Sequence, residues 1–386
     1  MQTPVPSAPE LRPLRILEIG AYALFASIVP EQTVFYWTGT KPRGFAHVAL
    51  GPIRLIKTLI KLRRREFDLL VVHGTQYAPW HPRSFLTALR DWHVRSPLGL
   101  FAIFAWRFVH LFHDVPIAGV DMDDSCLIGR HNFFLLDRCR AFFKRELPSD
   151  HWLAFCNSWH AKFPGRNRRS RKANRRRIEK LKPISLGMLP NHEIVATVSA
   201  EKKADIFFVG DVIANSTVRA AGLKELQALA REGYVIDIPT ERVARPEFLQ
   251  RMSAAWLAWS PGGLGWDCSR HYEAPLVGSV PLMNDPTIMR HRPLRDGEHC
   301  VLYRVEAGGL AEAARSALAD KPRLRRMAQA AAEHVRKHHN NYARADYVVS
   351  TVLGRHLDGS WIESPADECS SGPKERAVRR RDLSVV

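Results

Sequence analysis

Residues 266–285 read WDCSRHYEAPLVGSVPLMND and follow AWLAWSPGGLG (255–265) without a gap. Two apolar runs, AWLAWS and SVPLM, bracket a glycine-rich break and a crowded polar block of Ser269, Arg270, His271, Tyr272 and Glu273. Short apolar runs bounded by turn residues read as strands buried on both faces. The polar block then opens a helix between them. The stretch is strand, loop, helix, strand: one βαβ unit of a parallel sheet.

The same rhythm runs outward in both directions. Upstream, RILEIG (15–20), FDLLVVHG (67–74) and PIAGVD (116–121) read as strands, and FAHVALGPIRLIKTLIKLRRR (45–65) carries helical spacing with a basic face. Helices are expected near 83–92 and 96–112. HNFFLLDRCRAFFKREL (131–147) and WLAFCNS (152–158) complete this layer, with Lys144 and Arg145 either facing the cleft or, as expected here, on an exposed basic edge. KFPGRNRRSRKANRRRIEKLKPISLGML (162–189) breaks the rhythm, being dense in Arg and Lys without apolar period, and reads as an exposed connection. The pattern restarts with ADIFFVGD (204–211), a helix closed by Gly233, YVIDIP (234–239) and PEFLQRMSAA (246–255). Helices at about 309–319, 322–338 and 341–353 end it. The fold class expected is α/β: two Rossmann-like domains facing a cleft, with parallel sheets and C-terminal helices. A chain of 386 residues with 46% apolar content has material for two cores.

The net charge of +18 points to anionic partners. Six cysteines without CxxC spacing argue against a zinc knuckle or a disulfide scaffold. The N-terminus, MQTPVPSAPELRPLR, has no apolar stretch and is not a signal peptide. The apolar run 96–113 is interrupted by Arg107 and His110 and reads as a buried or membrane-surface helix. A cytoplasmic protein, peripheral at the inner membrane surface, is the expectation.

In open parallel sheets ligands bind beyond the carboxyl ends of the strands. SPGGLGWDCSRHYEA sits at such a point. Gly262, Gly263 and Gly265 permit close approach of backbone to ligand. Ser269 is placed to cap the helix, Arg270 to supply charge to a phosphate, and Glu273 to accept hydrogen bonds from paired sugar hydroxyls. Together these meet the needs of a diphosphate joined to a ribose. Taken singly, each residue better fits a plain turn, a solvated cation or an ion pair; it is the block, with a second apolar strand following, that favours the ligand reading.

SRHYEAPLVGSVPLMND resembles the C-terminal nucleotide-binding motif of GT-B glycosyltransferases of group 1, in the manner of the exostosin-like and spore-maturation-type members. DIFFVGD resembles the first strand and loop of that domain, and GEHCVLY, GGLAEAARSALAD and LRRMAQAAAEHVRKHH its closing strand and helices. The resemblance covers roughly residues 200–355. It departs from many retaining members at Gly265, where they carry a second Glu eight positions before the first. Retaining chemistry is therefore not assigned.

The resemblance implies a nucleotide-diphosphate-sugar donor held by Gly210, Asp211, Arg219, Ser269, Arg270, Tyr272, Glu273 and Asn284, with Lys224 as a weaker candidate. It implies a glycan, lipid-linked or other envelope acceptor presented by the N-terminal half, and no cofactor. For the base, His73, Thr75, Asp121, Asp123 and Asp124 stand at strand ends. The domains expected are an unstructured 1–13, an acceptor domain 14–195 with its basic segment 162–182, and a donor domain 196–340. A helix 341–357 packs back on the first domain, and a basic tail, 358–386, is disordered.

Two other readings stay open. VDMDD (120–124) contains Asp-x-Asp, the pattern by which GT-A enzymes hold Mg or Mn against a diphosphate. The chain is alternatively a non-catalytic double-Rossmann protein whose basic segment binds nucleic acid or an anionic membrane. That segment lacks interleaved aromatics or a reading helix, which disfavours nucleic acid.

Overall fold

A computed structural model describes residues 12–20, 22–37, 48–49, 52–74, 114–156, 172–187, 201–211, 216–358 and 369–370. The first sheet contains β1 (Ile16–Gly20), β2 (Thr33–Trp37), β3 (Val48–Ala49), β4 (Leu69–His73), β5 (Ile117–Asp121), β6 (Ala141–Lys144) and β7 (Leu181–Pro183). Its order is β3-β2-β1-β4-β5-β6-β7, and every pairing is parallel. The helices α1 (Pro52–Arg63), α2 (Phe133–Arg138) and α3 (Lys172–Ile178) belong to this half.

The second sheet is built from β8 (Ala204–Phe207), β9 (Ile236–Asp237), β10 (Ala255–Trp259) and β11 (Val280–Asn284). β12 (Arg290–His291), which pairs antiparallel with residues 369–370, precedes in sequence the last strand of this sheet, β13 (Val301–Tyr303). The order β13-β11-β10-β8-β9 is again wholly parallel. Its helices are α4 (Thr217–Arg231), α5 (Arg245–Ser253), α6 (Arg270–Leu276), α7 (Gly309–Leu318) and α8 (Lys321–His338). The last, α9 (Asn341–Leu353), returns to the first sheet, where Ala345, Val348, Val349 and Val352 pack against Ile16, Val71, Val120 and Phe143.

Strands buried on both faces need apolar residues at every position, which is why the continuous runs in the sequence mark them so well. The four-residue core of β6 corrects one expectation. Lys144 and Arg145 are not on an exposed edge, because β6 lies between β5 and β7; Lys144 is fully buried and Arg145 nearly so. The basic connection is corrected in part: residues 172–178 form a helix whose Arg177 pairs with Asp137 at 2.6 Å. Residues 162–171, the helices expected near 83–92 and 96–112, and the tail other than 358 and 369–370 lie outside the described residues. Among the described residues no helix is long and apolar enough to cross a membrane.

Each sheet reverses direction once. In the first, the chain runs outward from β1 one way and from β4 the other, so the crevice opens beyond Gly20 and His73. In the second, the reversal falls between β8 and β10, beyond residues 208–211 and 260–265.

Candidate functional site

At the second reversal, two glycine loops and two arginines converge. A Cβ on Gly210 would lie 3.0 Å from Nη1 of Arg270, and one on Gly263 would lie 2.5 Å from Nη2 of Arg219. The Gly262 N–H is donated to Asn284 Oδ1 at 2.8 Å, which fixes the second loop. Arg270 donates Nη1 to the Val209 carbonyl and lies over the Phe208 ring at 5.2 Å. Arg219 donates to the Asp211 carbonyl at 2.9 Å. Burial and the like charge of Arg270 push the Arg219 guanidinium pKa down, with Cys268 and Asp211 opposing. Neither guanidinium forms a salt bridge with a described carboxylate, and both bury an Nε without a hydrogen-bond partner. Two adjacent cations with unused donors, crowded by glycine backbone, form a site suited to a multivalent anion.

Glu273 lies one turn after Arg270 on α6 and is buried. Its Oε1 accepts from Arg245 Nη2 at 2.8 Å, while Oε2 is buried without a partner. One carboxylate oxygen is thus fixed and the other is buried with its hydrogen-bonding capacity unused.

The loop before α6 is gripped by the first sheet. Glu146, just beyond β6, accepts the Trp266 N–H at 2.8 Å and the Asp267 N–H at 2.9 Å. Arg145 donates to the carbonyls of Met122 (3.1 Å) and Asp267 (2.6 Å) and pairs with Asp124 at 2.6 Å. A Cβ on Gly265 would stand 2.5 Å from Glu146 Oε1. The absent side chain at 265 is therefore where a carboxylate from the other sheet sits. Burial pushes the Glu146 carboxyl up to about 7, against the pull of the two N–H donors.

At the first reversal, His73 is buried at the end of β4 and a Cβ on Gly20 would collide with its ring. His73 Nε2 lies 2.9 Å from Oε1 of Glu18, a fully buried carboxylate that also accepts the N–H groups of Leu24, Phe25 and Ala26. With Nε2–H given to Glu18, Nδ1 keeps its lone pair, and it has no hydrogen-bond partner.

The sequence-derived candidates separate into three groups. Gly210, Arg219 and Arg270 meet at the second reversal, with Glu273 one turn further along α6, and His73 stands at the first reversal. Tyr272 and Asn284 face inward instead: the Tyr272 hydroxyl donates to Asp267 Oδ1 at 2.6 Å, and Asn284 holds the glycine loop. Ser269 is exposed and makes no capping bond, since its own backbone is already helical. Asp211 is exposed at the loop, and Lys224 is exposed on α4.

Asp121 is buried and paired with Lys144 at 3.2 Å; burial raises its carboxyl pKa, and Lys144 opposes the rise. Asp123 donates its N–H to Asp121. With Asp121 and Asp124 held by Lys144 and Arg145, the Asp-x-Asp stretch is part of the packing between strand ends, and among the described residues no cluster suits a metal. Thr75 lies outside the described residues. Sequence reading missed Glu18, Glu146 and Arg245. Glu18 did leave a signal, as the one acid inside the apolar run RILEIG.

Residues 264–350 match the family described as glycosyl transferase-like. No curated protein matches the chain. Among solved structures, the chain is similar to a glycosyltransferase from Rickettsia africae ESF-5 at 9% identity and TM-score 0.50, over 88% of this chain and 99% of that one. It is also similar to a UDP-forming α,α-trehalose-phosphate synthase from Burkholderia vietnamiensis (9% identity, TM-score 0.48, 87% and 99% covered). Anabaena HepE in complex with UDP is a third such structure (12%, 0.47, 88% and 99%).

Proposed function

We propose that this chain, a glycosyltransferase of the GT-B fold, moves a sugar from a nucleotide-diphosphate-sugar on the second sheet to a hydroxyl presented by the first. The observation that carries the reading is the pair Arg219 and Arg270, two neighbouring cations with partnerless buried Nε atoms between glycine loops. A diphosphate leaving group would satisfy both. As the bond from sugar to phosphate breaks, negative charge grows on the diphosphate, and guanidiniums already in place stabilise it without reorganising. Glu273 Oε2 is the acceptor for the paired ribose hydroxyls, and Arg245 holds the carboxylate in orientation.

His73 takes the acceptor's proton at Nδ1, while Glu18 fixes the tautomer and stabilises the imidazolium that forms. Asp121 and Asp123 then have no part in proton transfer. Charge on the diphosphate is met by side chains in this scheme, with no cofactor. The acceptor is a glycan or a lipid-linked hydroxyl, and the protein works at the cytoplasmic face of a membrane.

A panel of nucleoside diphosphates in thermal-shift assays tests this, on the wild-type chain and on Glu273→Ala. One nucleotide should stabilise the wild type by about 3 kcal/mol at a hundredfold excess over its Kd. The shift should shrink in Glu273→Ala. No shift from any nucleotide would defeat the reading.

A further inference from the structure

Helix α1 turns an apolar stripe outward. Its inner face is conventional: Leu62 and Thr58 are buried and Leu59 packs on the first core. On the opposite side Ile53, Ile56 and Ile60 are 71%, 59% and 46% exposed. Their spacing of three and four residues sets them in one row along the helix. An outward face of a surface helix is ordinarily polar, so three aligned isoleucines need an occupant. The flanks are basic. Lys57, Lys61, Arg63 and Arg64 are exposed, none has an acidic partner among the described residues, and positions 52–65 contain no Asp or Glu.

The charge selects among occupants. A second copy docking face to face about a two-fold axis would bring these four cations against their own counterparts. An anionic bilayer accepts both parts, the isoleucines entering the acyl boundary and the Lys and Arg side chains meeting lipid phosphates. Helix α1 is also the crossover between β3 and β4, so its N-terminal end lies at the carboxyl edge of the sheet, the edge on which His73 stands.

We propose that α1 docks the protein on an anionic lipid surface through Ile53, Ile56 and Ile60, flanked by Lys57, Lys61, Arg63 and Arg64. The inference does not depend on the donor chemistry, and it assigns membrane contact to α1 instead of the basic segment 162–182.

The full chain is sedimented with vesicles of phosphatidylcholine, or of phosphatidylcholine and phosphatidylglycerol in equal amounts. The wild type should pellet with the anionic vesicles only and be released by salt. The triple variant Ile53→Ser/Ile56→Ser/Ile60→Ser should bind about tenfold more weakly or worse. Lys57→Glu/Lys61→Glu should lose roughly twentyfold or more, since each basic residue near the surface strengthens binding roughly fivefold. Unchanged melting temperatures in both variants show that the fold is retained. Wild-type protein that stays in the supernatant with both vesicles overturns the proposal. So does a triple variant that binds as well as wild type, or a wild-type dimer that the triple variant dissociates without any effect on vesicle binding.

Discussion

Gly265→Ala is the sharpest test of how the two sheets meet. The new Cβ would lie 2.5 Å from Oε1 and 2.6 Å from Cδ of Glu146, and 3.1 Å from the carbonyl oxygen of Asp124. The Asp124 contact is with backbone and cannot yield far, so the carboxylate must move. Glu146 is only 2% exposed and has no solvent to swing into. Moving it breaks both bonds to the Trp266 and Asp267 N–H groups. Hydrogen bonds to a charged acceptor contribute about 1.5–3 kcal/mol each, and part of each is recovered by relaxation, so the expected loss is about 2–4 kcal/mol.

The control is Glu146→Ala, which loses the same two bonds and should cost a similar amount. In the double variant the alanine at 265 occupies emptied space. The double should therefore be no worse than Glu146→Ala alone, within about 0.5 kcal/mol, giving a coupling of about 2–4 kcal/mol. Urea unfolding followed by tryptophan fluorescence at pH 8, where the carboxylate is ionised, measures all three. Losses that simply add in the double variant would refute the claim that Glu146 is what position 265 must leave room for.

Arg270→Ala should weaken nucleoside diphosphate binding about tenfold to a hundredfold in calorimetry, the worth of one charged hydrogen bond to phosphate. Arg219→Ala should do the same while leaving the unliganded protein within about 0.5 kcal/mol of wild type, because it also removes a like charge beside Arg270. His73→Gln should cut kcat by about a hundredfold or more and leave donor affinity unchanged in the same titration. Glu146 should give stability a pH slope. Its carboxyl is raised to about 7 from 4.5, so the folded protein holds that proton more tightly than the unfolded chain. The stabilisation is complete below about 4.5 and is lost as pH rises through 7, a total of about 3 kcal/mol. His291 and His339 act in the opposite sense: burial lowers both to about 3, so stability falls as pH drops from 6.5 towards 3. The difference between wild type and Glu146→Gln, measured by thermal unfolding from pH 4.5 to 8, isolates the Glu146 part.

The sequence made the strands of both sheets legible where burial on two faces demanded unbroken apolar runs, as at Ile16–Gly20, Leu69–His73 and Val280–Asn284. The structure shows what ends several of the helices. Asp320 and Asn340 cap α8 and α9 by accepting N–H groups three residues on, and Gly233 and Gly354 take positive φ just past α4 and α9. β2, TVFYW, was missed although Pro30 and Gly39 flank it. β7 was missed because three residues within a basic run carry no period. One side of the second crevice was legible as a block since Gly262, Gly263, Arg270 and Glu273 are close in sequence. Its supports were not: Glu146 and Trp266 are 120 positions apart, and Arg245 and Glu273 are 28 apart. A buried ion pair or a carboxylate capping another loop has no local pattern, because each partner read alone looks like an ordinary surface charge.

That difference bears on what Gly265 means. A missing carboxylate, read along the chain, suggests a site that has lost a group. The folded molecule shows a carboxylate beside that position, delivered from β6 of the opposite sheet and bonded to the backbone of 266 and 267. The same two residues run directly into α6, which carries Arg270 and Glu273, and Asp267 is itself buried against Tyr272 and the Leu186 N–H. A group at 265 borne by the loop itself would leave the loop complete without the first sheet. A group borne by Glu146 makes the position of the loop depend on contact between the sheets, so the crevice beside Arg270 takes its shape only while the first sheet is docked against it.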